Sequence, residues 1–357
     1  MRTVILSESP TFPKRFKIPG TRRTTFCARY VSQVCGHVLP PTQPGRIQGH
    51  FNVIGVFQLI TALKGKPVRR AAAVTATAVA MLATGALAAA PAQAAAAPSI
   101  AAKAGYVMNN ASGKAYGKAA TTKLSTGSTT KIMTAAVVLS QPKLNLNDKV
   151  TIQMAYSDYI VKNNASSARL IVGDKVTVRQ LLYGLMLPSG CDAAYALADK
   201  YGTGTTRDAR VKNFISKMNA KAKSFGMKNT TFDSFDGIGN GKNASTAQDL
   251  TTLAKNALKD ANFRAIVKTK SYTATTITKT GTSRKMAAWT NTNTLLSSYS
   301  GTIGVKTGSG PEAKYCLVFA ATRGGKTMVG TVLASTNATV RAQDATKLLN
   351  YGFANLK

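Results

Sequence analysis

Three short clusters in this 357-residue chain carry residue types suited to acyl transfer. Ser128-Thr-Thr-Lys131 sets a hydroxyl and an amine three residues apart. On a helix that spacing brings both to one face, within reach of each other. A serine hydroxyl attacks a carbonyl only once a base takes its proton. A lysine amine serves as that base only where burial and nearby positive charge favour its neutral form. A helix start also offers free backbone N–H groups and positive potential to an oxyanion. Ser189-Gly190-Cys191 follows Pro188 directly, a corner that exposes Ser189 on a tight loop. From there its hydroxyl could relay a proton between Ser128, Lys131 and a leaving amine. Lys306-Thr307-Gly308 ends the strand-like run TIGVKTGSG. Gly308 lets a substrate backbone approach and pair as an added strand, while Lys306 and Thr307 would hold a carboxylate. A second tripeptide, Lys279-Thr280-Gly281, lacks the apolar strand before it and the hairpin after it, and is set aside.

Each cluster alone also reads as ordinary structure: Ser128 as a helix N-cap, Ser189 as the cap of the next helix, Lys306 as a solvated lysine before a turn. The elements around them decide their use. Ile132, Ala135, Ala136 and Leu139 recur at helical spacing, which predicts a buried helix starting near Ser128. Further helices are predicted over Val176–Leu187, stopped by Pro188, over Asp192–Tyr201 and over Ala209–Ser224. Ser245-Thr-Ala-Gln248 has the form of a capping box opening another. Ala101–Lys118 reads as short strands broken by Asn-Asn and Ser-Gly turns. Ser300–Val305, Lys314–Thr322 and Lys326–Ala334 read as strands, the last two a hairpin across Gly324-Gly325. Val340–Phe353 reads as a closing helix. The expected class is mixed α/β (α+β): one antiparallel sheet built from both chain ends, covered by helices, with an all-helical insert.

Composition narrows the chemistry. Ala71–Ala90 carries no charge, Lys64, Lys66, Arg69 and Arg70 precede it, and small residues sit at Ala92 and Ala94. That is an export signal over residues 64–94, cleaved after Ala94, with an uncleaved membrane anchor as the alternative. Residues 1–63 are then a disordered extension or lie ahead of the true start. The remaining domain, residues 95–357, has no histidine, and Glu312 is its only glutamate. A Ser-His-Asp triad and any histidine-bearing metal site are excluded, and no cofactor is called for. Cys191 and Cys316 are its only thiols and are expected to be free, Cys316 within an apolar strand. The chain carries 47 Lys and Arg against 13 Asp and Glu. Such a surface suits anionic wall polymers or a lipid surface. Nucleic acid is not expected: export removes it, and there is one tryptophan and no aromatic-rich basic cluster.

In the order S-x-x-K, S-G-C, K-T-G, the three clusters together resemble the penicillin-binding proteins and serine β-lactamases. The likeness spans Gly105 to Phe353 and is strongest at STTKIMTA, LMLPSGCDAA, TTFDSFDGIG, STAQDL and GVKTGSGPEAKYCLVFAA. It points to a low-molecular-mass penicillin-binding protein of the D-alanyl-D-alanine carboxypeptidase family, and the last segment together with S-G-C to its small secreted DD-transpeptidases. The resemblance implies Ser128 as nucleophile, Lys131 as its base and Ser189 as proton shuttle. It implies Lys306 and Thr307 as holders of the terminal carboxylate of a D-alanyl-D-alanine stem peptide or of a β-lactam. It implies the Ser128 and Ser309 backbone N–H groups as the oxyanion hole, beside Gly308. The family usually has Asn where this chain has Cys191, which lacks the amide that would touch substrate and lysine. A class A β-lactamase deacylates with a glutamate. Glu312 follows K-T-G, out of place for that, so a slowly deacylating, penicillin-sensitive enzyme is expected. An exported, non-catalytic basic wall-binding protein is the alternative from another class. With Lys131 as base, acylation should quicken with pH through an inflection below about pH 9.

Overall fold

The computed structural model describes residues 96–357. The expected export signal and the segment before it lie outside the described residues. Strands β1 (Ala104–Asn109) and β2 (Ala115–Lys118) form a hairpin. Asn109 closes it, its side-chain oxygen accepting from the N–H groups of Ala111 and Ser112. Short β3 (Leu124–Ser125) leads into a 3-10 turn, Gly127–Thr130, and helix α1 (Lys131–Leu139). The middle of the chain follows as β4 (Lys149–Thr151), α2 (Met154–Lys162), β5 (Lys175–Thr177), α3 (Val178–Met186), α4 (Cys191–Tyr201) and α5 (Arg207–Ser224). Then come β6 (Ala244–Ser245), α6 (Ala247–Ala257), α7 (Ala261–Lys268), β7 (Ser271–Tyr272), β8 (Thr275–Ile277), β9 (Ser283–Lys285), β10 (Trp289–Thr290) and α8 (Leu295–Ser298). Three long strands and a helix close the chain: β11 (Thr302–Gly310), β12 (Lys314–Arg323), β13 (Lys326–Ser335) and α9 (Ala338–Asn355).

The main sheet has the order β11-β12-β13-β1-β2, all antiparallel, so both ends of the described chain meet in it. β1 lies against β13 with Ala104 opposite Leu333 and Asn109 opposite Met328. Alternation along β12 sorts its side chains between two covers. Leu317, Phe319 and Ala321 pack with Leu348 and Leu349 of α9, while Cys316, Val318 and Ala320 join the larger core around α1 and α6. Ile132, Met133, Ala135, Val137 and Val138 of α1 are all buried. An all-round apolar helix belongs at the centre, and α1 sits between the sheet and the middle helices. β11 is an edge strand, and its outer margin is where the 3-10 turn approaches.

The mixed class and the sheet drawn from both ends are as expected. The segment between is not all-helical: β4, β5, β8 and β9 form a second, four-stranded antiparallel sheet. These strands hold only three residues each. A period of two needs a longer run than that to be visible in a sequence. The cap of α6 is Thr246, whose side chain accepts from the Asp249 N–H, not Ser245. Instead Ser245 shares a hydroxyl contact with Thr230. β11 runs on through Gly308 to Gly310, so K-T-G lies inside the strand rather than at its end. Among the described residues no helix is long and apolar enough to cross a membrane.

Candidate active site

Ser128 sits in the 3-10 turn ahead of α1, half-buried, and Lys131 is the first residue of the helix, fully buried. The turn is held by its threonines: the Thr129 hydroxyl donates to the Thr126 carbonyl, and the Thr126 and Thr130 hydroxyls pair. Lys131 Nζ lies 2.8 Å from Ser128 Oγ, 3.3 Å from Cys191 Sγ and 3.1 Å from the carbonyl of Asp236. Those contacts account for all three directions of the amine. Cys191 therefore does touch the lysine, its sulfur standing where an amide oxygen was expected. Burial pushes its thiol up, outweighing the pull of Lys131, so the sulfur is a neutral neighbour rather than a thiolate.

The S-G-C corner runs from the end of α3 into the start of α4. Ser189 is buried, has φ +68°, and its hydroxyl has no partner among the described residues. It lines a cleft of about 750 Å³ together with Ser128, Cys191, Thr307, Gly308 and Ser309. Lys306 behaves differently from expectation. It is 1 % exposed, does not line the cleft, and its amine donates to the carbonyl of Thr307 at 2.9 Å. Burial, with Lys131 adding to it, pushes Lys306 well below the ordinary lysine range. Thr307 does face the cleft, with its hydroxyl on that of Thr292. β11 passes so close to the turn that a Cβ on Gly308 would stand 2.8 Å from the Thr126 carbonyl, hence the glycine.

Sequence reading missed two groups. Arg341 of α9 lines the cleft and is buried, reaching the carbonyls of Gly308 and Cys316 at 3.4 and 3.5 Å. Its Nε is buried without a partner among the described residues, and burial pushes the guanidinium down. A signal for it was present: Arg341 and Asp344 fall with Ala345, Leu348, Leu349 and Gly352 on the buried stripe of α9, where charges are out of place. The other group is the loop Asp233–Asn243, known before only as part of a resembling segment. The Asp233 carboxylate accepts from the N–H groups of Asn240 and Lys242 and ties the loop. Buried Asp236 offers its carbonyl to Lys131, while its carboxylate accepts from the Tyr159 hydroxyl and the Ile238 N–H. Gly237 has φ +96°, and a Cβ there would fall 1.9 Å from the Gly127 carbonyl. Glu312, exposed on the β11–β12 turn, is the only acidic residue lining the cleft among the described residues. Both thiols, Cys191 and Cys316, are free and buried.

The arrangement is a hydroxyl and an amine in contact, a second hydroxyl on a strained corner, and an open strand edge with an arginine beneath it. Residues 91–337 match the family model described as D-alanyl-D-alanine carboxypeptidase. The D-alanyl-D-alanine carboxypeptidase of Streptomyces sp. (strain K15) is 68% identical over 288 residues, 80% of this chain and 99% of that one. DacF of Bacillus subtilis (strain 168), a D-alanyl-D-alanine carboxypeptidase, is 33% identical over 71% of this chain and 62% of its own length. The crystal structure of the Streptomyces K15 DD-transpeptidase superposes with a TM-score of 0.72 at 72% identity, covering 72% of this chain and 99% of that one.

Proposed function

Because the chain belongs to the D-alanyl-D-alanine carboxypeptidase family of serine peptidases, we propose that its acyl transfer is carried by Ser128, Lys131 and Ser189. The protein is a serine-type D-Ala-D-Ala carboxypeptidase and transpeptidase of the penicillin-binding kind. Its substrates are peptides ending in D-alanyl-D-alanine, and β-lactams inhibit it. In our reading the Ser128 hydroxyl gives its proton to the amine of Lys131 while Oγ attacks the penultimate carbonyl carbon. The backbone N–H groups of Ser128 and Ser309 receive the oxyanion. The intermediate collapses, and the C–N bond breaks. The departing D-alanine amine takes the proton from Lys131 by way of Ser189. Water or a second peptide's amine then cleaves the acyl ester, giving hydrolysis or a cross-link. Thr307 and Arg341 receive the terminal carboxylate, with Lys306 contributing from behind the wall. Cys191 and Gly308 border the peptide, which lies along β11.

The observation that carries this reading is the 2.8 Å contact between a fully buried lysine amine and the Ser128 hydroxyl at the head of a helix. Mass spectrometry after incubation with a penicillin tests it. One adduct is expected on Ser128, and Ser128→Ala is expected to carry none. An adduct that persists in the variant refutes the assignment. The exposed position of Glu312 on a turn supports slow deacylation over a β-lactamase role. The same spectrum would report the processed N-terminus, which we place after Ala94, with residues 64–94 as export signal and the enzyme outside the cytoplasm. We also assign retention on anionic wall polymers or lipid to the basic surface. Lys149, Lys175 and Lys285 project from one exposed face of the four-stranded sheet, free of ion pairs among the described residues.

A further inference from the structure

The corner that presents Ser189 holds a conformation it would not keep alone. A non-glycine residue stays at a φ of +68° only when its surroundings over-determine it. The Gly190 N–H, donating to the Gly184 carbonyl at 2.9 Å, supplies part of that constraint, and the stretch from Ser166 to Leu170 supplies the rest. Ser166 Oγ donates to the Ser189 carbonyl at 2.6 Å and stands 3.6 Å from Cys191 Sγ, while the Ser166 carbonyl accepts the Cys191 N–H at 2.8 Å. The segment is itself pinned by buried Asp192, the second residue of α4. That carboxylate accepts from the Ser167 hydroxyl at 2.7 Å and from the N–H groups of Ala168 and Leu170 at 2.8 and 3.1 Å. Trp289 donates its indole N–H to the Ala168 carbonyl at 2.8 Å. Corner and segment meet backbone to backbone: a Cβ on Gly190 would stand 2.7 Å from the Ala168 nitrogen. The Ser189 hydroxyl, by contrast, has no partner among the described residues, so the direction it takes is set by the peptide that carries it.

We propose that Ser166 is a positioning residue for the reaction: its hydroxyl fixes the Ser189 peptide and so aims the Ser189 hydroxyl into the cleft, with Asp192 holding the segment in place. The inference rests on the proposed shuttle role of Ser189. Ser166 lines the cleft and is exposed, so its hydroxyl can be removed without opening the core.

The test is a double-mutant cycle on turnover of a peptide ending in D-alanyl-D-alanine, with Ser166→Ala, Ser166→Thr, Ser189→Ala and the Ser166→Ala/Ser189→Ala pair. Ser166→Ala is expected to lower kcat at least about tenfold with KM little changed. Ser166→Thr keeps the hydroxyl and is expected to restore most of the rate. In the Ser189→Ala background, adding Ser166→Ala is expected to cost nothing further. An equal loss in both backgrounds overturns the proposal, as does full activity in Ser166→Ala or a fall in kcat that merely follows a fall in folded protein. Wild-type kcat in Ser189→Ala would instead remove the shuttle role on which it rests, an outcome read from a different variant.

Discussion

At the scale of single residues, two buried amines share the interior behind one cleft, and only Lys131 touches the nucleophile. Lys306 is the one whose charge burial opposes outright. Its folded pKa lies below its unfolded one. Between the two values the unfolded chain holds the extra proton, so stability rises with pH across that window and is at its lowest below it. Thermal melts from neutral pH toward pH 10 should therefore show a rising midpoint. Lys306→Met should flatten that rise and raise the midpoint at pH 7 by about 2–4 °C for each kcal/mol of penalty relieved, while acyl transfer falls. An unchanged slope in Lys306→Met would place the titration elsewhere. The residues that touch the reacting atoms were legible because chemistry restricts them to few types. With histidine absent from the domain, Ser128 and Lys131 had few competitors. Arg341 was not legible in this way. Its partners lie across the fold, the Gly308 carbonyl 33 positions earlier, and a sequence shows only a charge on an apolar stripe.

Among the elements, long ones were readable and short ones were not. α5 and α9, of 18 residues each, and β12 and β13, of 10, repeat their period enough times to declare themselves. The three-residue strands of the second sheet join into one sheet through pairing across long stretches of chain, as β5 pairs with β8 through Lys175 and Ile277. Two changes probe how elements are held. Gly237→Ala puts a methyl into the Gly127 carbonyl and must push the Asp236 carbonyl off Lys131. Penicillin acylation should slow at least about tenfold, because displacements of this size are costly in a preset site. Acylation at the wild-type rate would mean that the loop does not fix the amine. Asp344 of α9 accepts the N–H groups of Ala101 and Ala102 at 3.0 and 2.7 Å, joining the last helix to the approach to β1. Asp344→Ala strands those donors and should cost about 1–3 kcal/mol, seen as a lower urea midpoint with an unchanged slope.

For the molecule as a whole, the sheet that carries the site cannot form until the chain's two ends meet. β1 occupies a slot between β2 and β13, and the Asn109 side chain donates to the carbonyl of Leu356. A chain ending at Asn337 lacks α9 and exposes Leu317, Phe319 and Val332. It is expected to yield no soluble protein that labels with penicillin, and a soluble, labelled product would show that the two covers fold separately. The antiparallel, two-ended plan could be foreseen because strand patterns stood at both ends and helical ones between. The margin that would receive a substrate could be foreseen too, from Gly308 of K-T-G on a strand edge. That margin, along β11, is an edge of the main sheet that faces a helix start, with the Thr307 and Gly308 carbonyls reached by Lys306 and Arg341. A guest laid there is held by its main chain, which suits an extended tail and not a helix, whose donors and acceptors are already spent on one another. The architecture thus favours loose, straight tails before any side chain has read the visitor's stereochemistry.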